Sequence, residues 1–517
     1  MATILPITSL SIDKGKGTKP LRPNIVLIVT DDQSFAQMSA LPRTQKIVGS
    51  NGVRFSNFIV SYPLCCPSRA TLFTGEYAHN NGVRGNDPQR DGGGWVSLNQ
   101  PRRTLASWLR AAGYDTVHFG KWANSYGANR TQPGWRRWSA LYGSSVHYYG
   151  FDMLGRHRRV RSFGTGAHDY QTDVITDLAA RYLRGDVAER APFFLSIGYL
   201  APHSGTGRDD AAGHRCLGVN EHGAPKKFSA VPPPRYAAAF DDAELPRPQS
   251  FNEPEVGDKP PIQRRPSLTP EEISQITLDY RCELAALKAV DDGVERIHRA
   301  LQQAGQAENT VIVFTSDNGL FHGEHRRRGK NSPYEEVIRV PLMISGPALP
   351  RGEVISDPVS NTDLPPTLLD LAGVKVRPSM ARPQDGRSLL PLMEGTTSWP
   401  DRAVLVEGRT ETTRAEAGGF LVGSYQGVRT ARYAFTEHYQ AGVPTYLAGA
   451  RVPIGKGGVV GRELYDLRSD PQELRNRATD PAYADVVQAL AKALARLSNC
   501  TGAACQVKAD VPVPQPE

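Results

Sequence analysis

The sequence predicts an α/β fold, a mainly parallel sheet flanked by helices, with a smaller α+β domain towards the C-terminus. Three observations predict it. The largely apolar runs Asn24–Thr30, Pro192–Leu200 and Asn309–Ser316 read as strands covered on both faces, as in the centre of a parallel sheet. Stretches with helical spacing alternate with these strands. Beyond Thr396–Arg402 the pattern changes to short strand-like pieces and one terminal helix.

The first strand stops at Asp31-Asp32. Either acid alone suits a helix cap; side by side at a strand's carboxyl edge they suit a hard cation that needs oxygen ligands. Next comes Tyr62-Pro-Leu-Cys65-Cys66-Pro67-Ser68-Arg69, running on to Thr74-Gly75. This predicts a turn into a helix with Pro67 at the first helical position, where a missing N–H costs nothing. A helix N-terminus favours an anion, and Arg69 adds a donor fork matched to a tetrahedral oxyanion.

Thr104–Ala112 has helical spacing through Leu105, Trp108 and Leu109, with Gly113 as its stop. The strand Tyr114–Trp122 ends in Gly120-Lys121-Trp122, which brings a point charge to the same edge. A helix over Asp169–Arg184 precedes the strand that closes on Pro202-His203, a histidine able to pass a proton to a leaving oxygen. Residues 204–266 are rich in Pro, Gly and charge and read as a long insertion loop.

Thr269-Pro270-Glu271-Glu272 is a capping box with proline in the first turn. The helix after it is apolar on one face from Ile273 to Leu301, and Cys282 reads as part of that helix. It feeds the strand ending in Asp317-Asn318-Gly319, followed by His322, His325, Gly329-Lys330 and a strand at Val340–Ser345. In parallel α/β sheets ligands gather outside the carboxyl ends of the strands. Asp31, Asp32, Lys121, His203, Asp317 and Asn318 all fall there. The second domain is expected from Ala403–Glu407, Phe420–Thr430, Tyr433–His438 and a helix over Asp480–Leu497. The expected divisions are an extension at 1–22, a larger domain at 23–398 that holds these candidate site residues, a small domain at 399–500 and a disordered Pro-rich tail at 501–517.

Lys and Arg exceed Asp and Glu by 61 to 53, which suits anionic substrates or solubility. No nucleic-acid-reading module accompanies the arginine clusters Arg156–Arg161 and Arg326–Arg328, so nucleic acid is not an expected partner. No apolar run approaches the roughly 20 residues that cross a bilayer. Residues 1–23 offer only a weak apolar patch, Ile4–Ile12, without the basic start of a signal peptide, which keeps a cytoplasmic location as the alternative to export. Of six cysteines, Cys500 and Cys505 are spaced to close a small disulfide loop, which favours an oxidising compartment and an exported protein.

Cys65-x-Pro67-Ser68-Arg69 with Thr74-Gly75 resembles the signature of the formylglycine-dependent sulfatases, members of the alkaline-phosphatase-like superfamily. The other pieces follow in the family's order, across roughly Asn24 to Asn476. The resemblance implies that Cys65 is oxidised to formylglycine by a formylglycine-generating enzyme. It further implies a calcium site, with magnesium as the alternative ion, formed by Asp31, Asp32, Asp317, Asn318 and an oxygen of modified Cys65. In the implied reaction a hydroxyl of the hydrated aldehyde, deprotonated with help from Asp317, attacks the sulfur of a sulfate ester. Arg69, Lys121 and Lys330 hold the sulfuryl charge, His203 or Lys330 protonates the departing alcohol, and the second hydroxyl expels sulfate.

Many arylsulfatase-like members carry a histidine two residues after the lysine, where this chain has Ala123. Gly120-Lys121-Trp122-Ala123-Asn124 is instead similar to the N-acetylglucosamine-6-sulfatase branch, as is the C-terminal Cys-x-Gly-x-x-Cys. A sulfated sugar or an aryl sulfate is therefore the implied substrate, with Asn124, His322 and His325 as candidate substrate contacts. A phosphonate or phosphodiester hydrolase with the same aldehyde, and an inactive sulfatase-like binding protein, are the alternatives.

Overall fold

The computed structural model describes residues 22–87, 94–124, 131–143, 146–155, 157, 159–185, 192–205, 216, 229–408, 424–439 and 458–514. Ten strands form the main sheet: β1 (Asn24–Asp31), β2 (Gly52–Phe55), β3 (Asp115–Gly120), β4 (Arg137–Tyr142), β5 (Asp152–Gly155), β6 (Val160–Ser162), β7 (Phe193–Pro202), β8 (Thr310–Ser316), β9 (Leu342–Ser345) and β10 (Glu353–Ile355). Their order is β10-β2-β9-β8-β1-β7-β3-β4-β5-β6. The central five, β8-β1-β7-β3-β4, are parallel, with Val26 beside both Leu195 and Ile312. Antiparallel strands flank them: β9 between β8 and β2, and β5 beside β4. Every residue of β1, β7 and β8 is buried, which is why these strands read as nearly unbroken apolar runs.

Each face of the sheet has its own core. On one side α3 (Gln171–Arg184) and α4 (Pro270–Gln303) pack on Val26, Ile28, Leu195 and Phe314. On the other, α1 (Cys65–Thr74) and α2 (Leu105–Ala111) cover Ile25, Leu27, Phe194 and Val313. The capping box starts α4: Glu272 N donates to Thr269 Oγ1 at 3.2 Å, and Thr269 N to Glu272 Oε2 at 2.9 Å. Helix α1 begins at Cys65 itself, so Pro67 stands third rather than first. The position is tolerated because first-turn N–H groups have no intrahelical acceptor. Gly75 ends α1 with a left-handed φ of 74°.

A second, antiparallel sheet of β11 (Val404–Gly408), β12 (Tyr425–Arg429), β13 (Tyr433–Tyr439) and β14 (Val459–Asp466) is covered by α5 (Ala484–Leu497). The expected strand over Phe420–Thr430 begins partly outside the described residues.

Two expectations are corrected. Cys282 is not simply part of a helix: it is disulfide-bonded to Cys216, which ties the insertion loop to α4. The tail is ordered well past 501, for Val507 is fully buried and Ala509 N donates to Asp401 O at 2.8 Å. Cys500 and Cys505 pair as their spacing implies.

Candidate active site

Strands β1, β3, β7 and β8 all deliver side chains to one rim of the sheet, and the N-terminus of α1 faces them. Close approach of the backbones is part of the construction. Gly120 has a φ of 100°, and a Cβ on it would stand 2.1 Å from Gly198 O. Two facing glycines thus let Lys121 N donate to Gly198 O at 2.7 Å and turn the lysine into the rim.

Asp31, at the end of β1, is fully buried and ion-paired with Lys121. Arg69, one turn into α1, donates from Nε to Asp317 Oδ2 at 2.7 Å and from Nη1 to Lys121 O at 2.8 Å, with Nη2 3.5 Å from Asp31 Oδ2. Asp317 Oδ1 accepts from Asp32 N at 3.2 Å. Asn318 Nδ2 donates to Asp32 Oδ1 at 2.6 Å. Lys330 reaches across from its loop to pair with Asp32 and donates to Cys65 Sγ at 2.8 Å. Cys65 Sγ lies 3.4 Å from Asp31 Oδ1. His203 Nδ1 is held by the carbonyl of Ser204, which turns Nε2 towards Asp32 Oδ2 at 3.5 Å.

These contacts set the protonation states. Burial alone would raise Asp31, but Lys121, His203, Arg69 and Lys330 together hold it below the usual carboxylate range. Asp317 is pushed up to about 6 by burial and by the charge of Asp31, against Arg69, Lys121 and Lys330. Burial and Asp31 push the Cys65 thiol up, so as an unmodified cysteine it is a poor nucleophile. Burial would lower Lys330, yet Asp32 and its neighbours raise it well above an ordinary lysine. Three carboxylates are thus balanced by three fixed cations in a water-poor setting.

The donor set fits a hard cation. One ligand atom each from Asp31, Asp32, Cys65 and His203 lies within 4.8 Å of the others. Asn318 Oδ1 is buried without a hydrogen-bond partner, an acceptor left for a ligand. A divalent ion added to the balanced cluster would leave a surplus of positive charge, which favours an anionic ester.

The other candidates lie elsewhere. Asn124 N donates to Cys66 Sγ at 3.2 Å, which keeps this residue beside the helix N-terminus, and its Oδ1 is buried and unpaired. His322 Nε2 contacts Glu283 Oε2 at 2.6 Å, and His325 Nδ1 contacts Glu253 Oε2 at 2.9 Å. Both rings are buried against these carboxylates rather than against the Cys65 cluster. Sequence reasoning missed the groups that brace the site. Tyr148 Oη donates to His203 O at 2.9 Å, Cys66 N donates to Asn86 Oδ1 at 2.9 Å, and Asn361 Nδ2 donates to Ser68 Oγ at 3.2 Å. Nothing in their local sequence marks them, since their partners are up to 293 residues away.

A parallel α/β sheet with acids, lysines and a histidine at its carboxyl rim, facing a helix-borne cysteine, defines the alkaline-phosphatase-like class. The sulfatase family model matches residues 23–374, and a model described as N-sulphoglucosamine sulphohydrolase, C-terminal, matches residues 323–444. The chain belongs to the sulfatase family. It is 32% identical over 442 residues to the extracellular sulfatase SULF-1 homologue of Drosophila melanogaster, covering 81% of this chain and 36% of that protein. It is 32% identical over 408 residues to human N-acetylglucosamine-6-sulfatase (Homo sapiens), covering 75% of this chain and 68% of that one. The structure of BT4656 in complex with its substrate D-glucosamine-2-N,6-O-disulfate is similar with a TM-score of 0.70 at 25% identity, over 92% of this chain and 97% of that one. The chain thus spans little more than a third of the length of its Drosophila relative.

Proposed function

We propose that this chain hydrolyses sulfate monoesters to an alcohol and inorganic sulfate, acting on a 6-O-sulfated glucosamine or a similar sulfated sugar, with an aryl sulfate as the competing ester. The observation that carries this reading is the meeting of position 65 with Asp31, Asp32, Asp317, Arg69, Lys121 and Lys330 at one buried rim. The sugar assignment is supported by the Lys121-Trp122-Ala123-Asn124 sequence and by the glucosamine substrate of BT4656.

Cys65 is converted to formylglycine by a formylglycine-generating enzyme, and its hydrate supplies two hydroxyls on one carbon, one to attack sulfur and one to expel sulfate. Calcium, with magnesium as the alternative, would be held by Asp31, Asp32, Asp317, Asn318 and an oxygen of modified Cys65, and would supply neutralising charge. Asp317, fixed by Arg69, takes the proton of the attacking hydroxyl. Lys121, Lys330 and Arg69 stabilise the charge that spreads over the sulfuryl oxygens. With Nδ1–H donated to the Ser204 carbonyl, His203 protonates the departing alcohol from Nε2 only as the imidazolium, a form that burial disfavours and Asp32 and Asp31 favour; Lys330 is the alternative donor. Asn124, next to Cys66, serves a sugar hydroxyl, whereas the burial of His322 and His325 against acids supports a role in holding the wall of the site. Two disulfides and extracellular relatives support export; among the described residues no helix is long and apolar enough to cross a membrane.

The test pairs mass spectrometry of the peptide spanning Cys65 with sulfate release. Aldehyde at position 65, sulfate freed from 6-O-sulfated glucosamine, and loss of both in Cys65→Ala are expected. An intact thiol in active protein, or faster turnover of a phosphonate ester than of any sulfate ester, overturns the reading.

A further inference from the structure

Away from the catalytic rim, α3 and strand β4 enclose a cleft of about 650 Å³ between Arg136, Arg137, Arg181, Tyr182, Phe119 and Trp138. That is the size range of small-ligand pockets. Arg137 is the register partner of Val117, four residues before Lys121, so the cleft lies roughly 13 Å along the sheet from the catalytic lysine.

Among the described residues its charge is only partly compensated. Arg136 Nε and Arg137 Nε share one carboxylate, Asp115, at 3.6 and 3.5 Å, and Asp115 also accepts from Tyr182 Oη at 3.2 Å. No carboxylate among the described residues pairs with Arg181. Arg136 and Arg137 have half-exposed side chains, so their forks are free to turn towards a ligand. Arg137 also lies over the Tyr182 ring, 5.3 Å from its centroid. The exposed edge strand β6 carries a further arginine, Arg161, over Phe163. Charge on an edge strand alone would serve only to block edge-to-edge pairing; an open cleft that gathers three arginines around one carboxylate offers more than that.

We propose that this cleft is an accessory binding site for an acidic sugar unit of a sulfated polysaccharide, outside the catalytic centre. Guanidinium forks chelate sulfate or carboxylate groups in bidentate fashion, and the buried Tyr182 ring backs Arg137 from beneath. A nucleic acid is the poorer match, because single strands need a basic groove that follows the backbone over several nucleotides. The choice of a sulfated glycan rests on the sulfatase reading; the anion-binding cleft itself does not.

The experiment compares the full chain with Arg136→Gln/Arg137→Gln/Arg181→Gln, both carrying Cys65→Ala to prevent turnover. Binding of a size-fractionated heparin oligosaccharide is followed by titration calorimetry, with circular dichroism as the control for folding. The triple variant is expected to lose about tenfold in affinity and one binding site per chain, while Arg137→Lys loses less. In the matured enzyme, the same triple substitution is expected to raise KM for the polymer and leave a monosaccharide sulfate unaffected. Unchanged oligosaccharide binding overturns the proposal. So does a single-stranded oligonucleotide that competes as well as the glycan, since a general polyanion patch shows no such preference. If neither substrate releases sulfate, the sulfatase reading fails and the binding result still decides the cleft.

Discussion

Arg69 Nε donates to Asp317 Oδ2 at 2.7 Å, with both side chains almost wholly buried. The pair joins α1 to the end of β8, and so fixes the cysteine-bearing helix against the acidic rim. Breaking a buried pair leaves a charge uncompensated, at a cost of about 3–5 kcal/mol. Arg69→Ala is expected to lose that much in urea unfolding. Arg69→Lys retains a charge without the fork and is expected to fold, with kcat/KM for an aryl sulfate reduced about 100-fold or more. A wild-type unfolding midpoint in Arg69→Ala would show that the pair does not anchor the helix.

The Cys65 side chain is fully buried, with Asp31 and Lys330 against its sulfur. An enzyme that oxidises this position cannot reach it in the folded chain. Purified folded protein holding the thiol is therefore expected to stay unmodified when a formylglycine-generating enzyme is added. Chain co-expressed with that enzyme is expected to carry the aldehyde. The peptide mass across residue 65 distinguishes the two, and conversion of the folded thiol form contradicts the burial argument.

What the sequence made legible follows from how each feature is encoded. Strands β1, β7 and β8 are covered on both faces, so hydrophobicity runs unbroken until a polar residue marks the rim. For that reason Asp31, Asp32, His203, Asp317 and Asn318 were readable as strand-end groups before any contact was known. The box at Thr269 and Glu272 is encoded within four residues, and the start of α4 was readable too. Long-range pairings leave no local trace. Cys282 sits at core spacing on α4, so its bond to Cys216 was invisible. His322 and His325 gain their acids from Glu283 and Glu253, on α4 and in the insertion loop. The prolines of the tail suggest disorder, whereas Val507 is buried and its carbonyl accepts from Ala403 N at 3.0 Å.

Between the two domains, His79 Nδ1 lies 3.3 Å from Glu407 Oε1 on β11 and Nε2 lies 3.0 Å from Cys500 O. Burial would lower the pKa of His79, but Glu407 and the Cys500 carbonyl raise it to about 9. A raised histidine stabilises the fold fully below its unfolded value of about 6.5 and loses that contribution as pH climbs through about 9. Glu407 is lowered by His79 despite its burial, so its contribution fades only in acid. His79→Gln is expected to destabilise by about 1–3 kcal/mol near pH 6, with the difference from wild type shrinking as pH rises past 9. Thermal unfolding across that range measures it, and a pH-independent difference rules out the charged pair.

The Cys216–Cys282 bond closes a loop with a sequence separation of 66. Loop-closure entropy assigns such a crosslink about 4 kcal/mol at most, and the partner cysteine sits on α4 among the helices that cover one face of the sheet. Cys216→Ser/Cys282→Ser is expected to unfold at lower denaturant by about 2–4 kcal/mol, while the catalytic rim, built on other elements, keeps its arrangement. Sulfate release per aldehyde-bearing chain should therefore change little at 25 °C while the unfolding midpoint falls. Cys500→Ser/Cys505→Ser is the internal comparison: its separation is only 5, so chain entropy gives it a smaller effect. If the short crosslink proves the more stabilising of the two, loop closure is not what the longer one contributes.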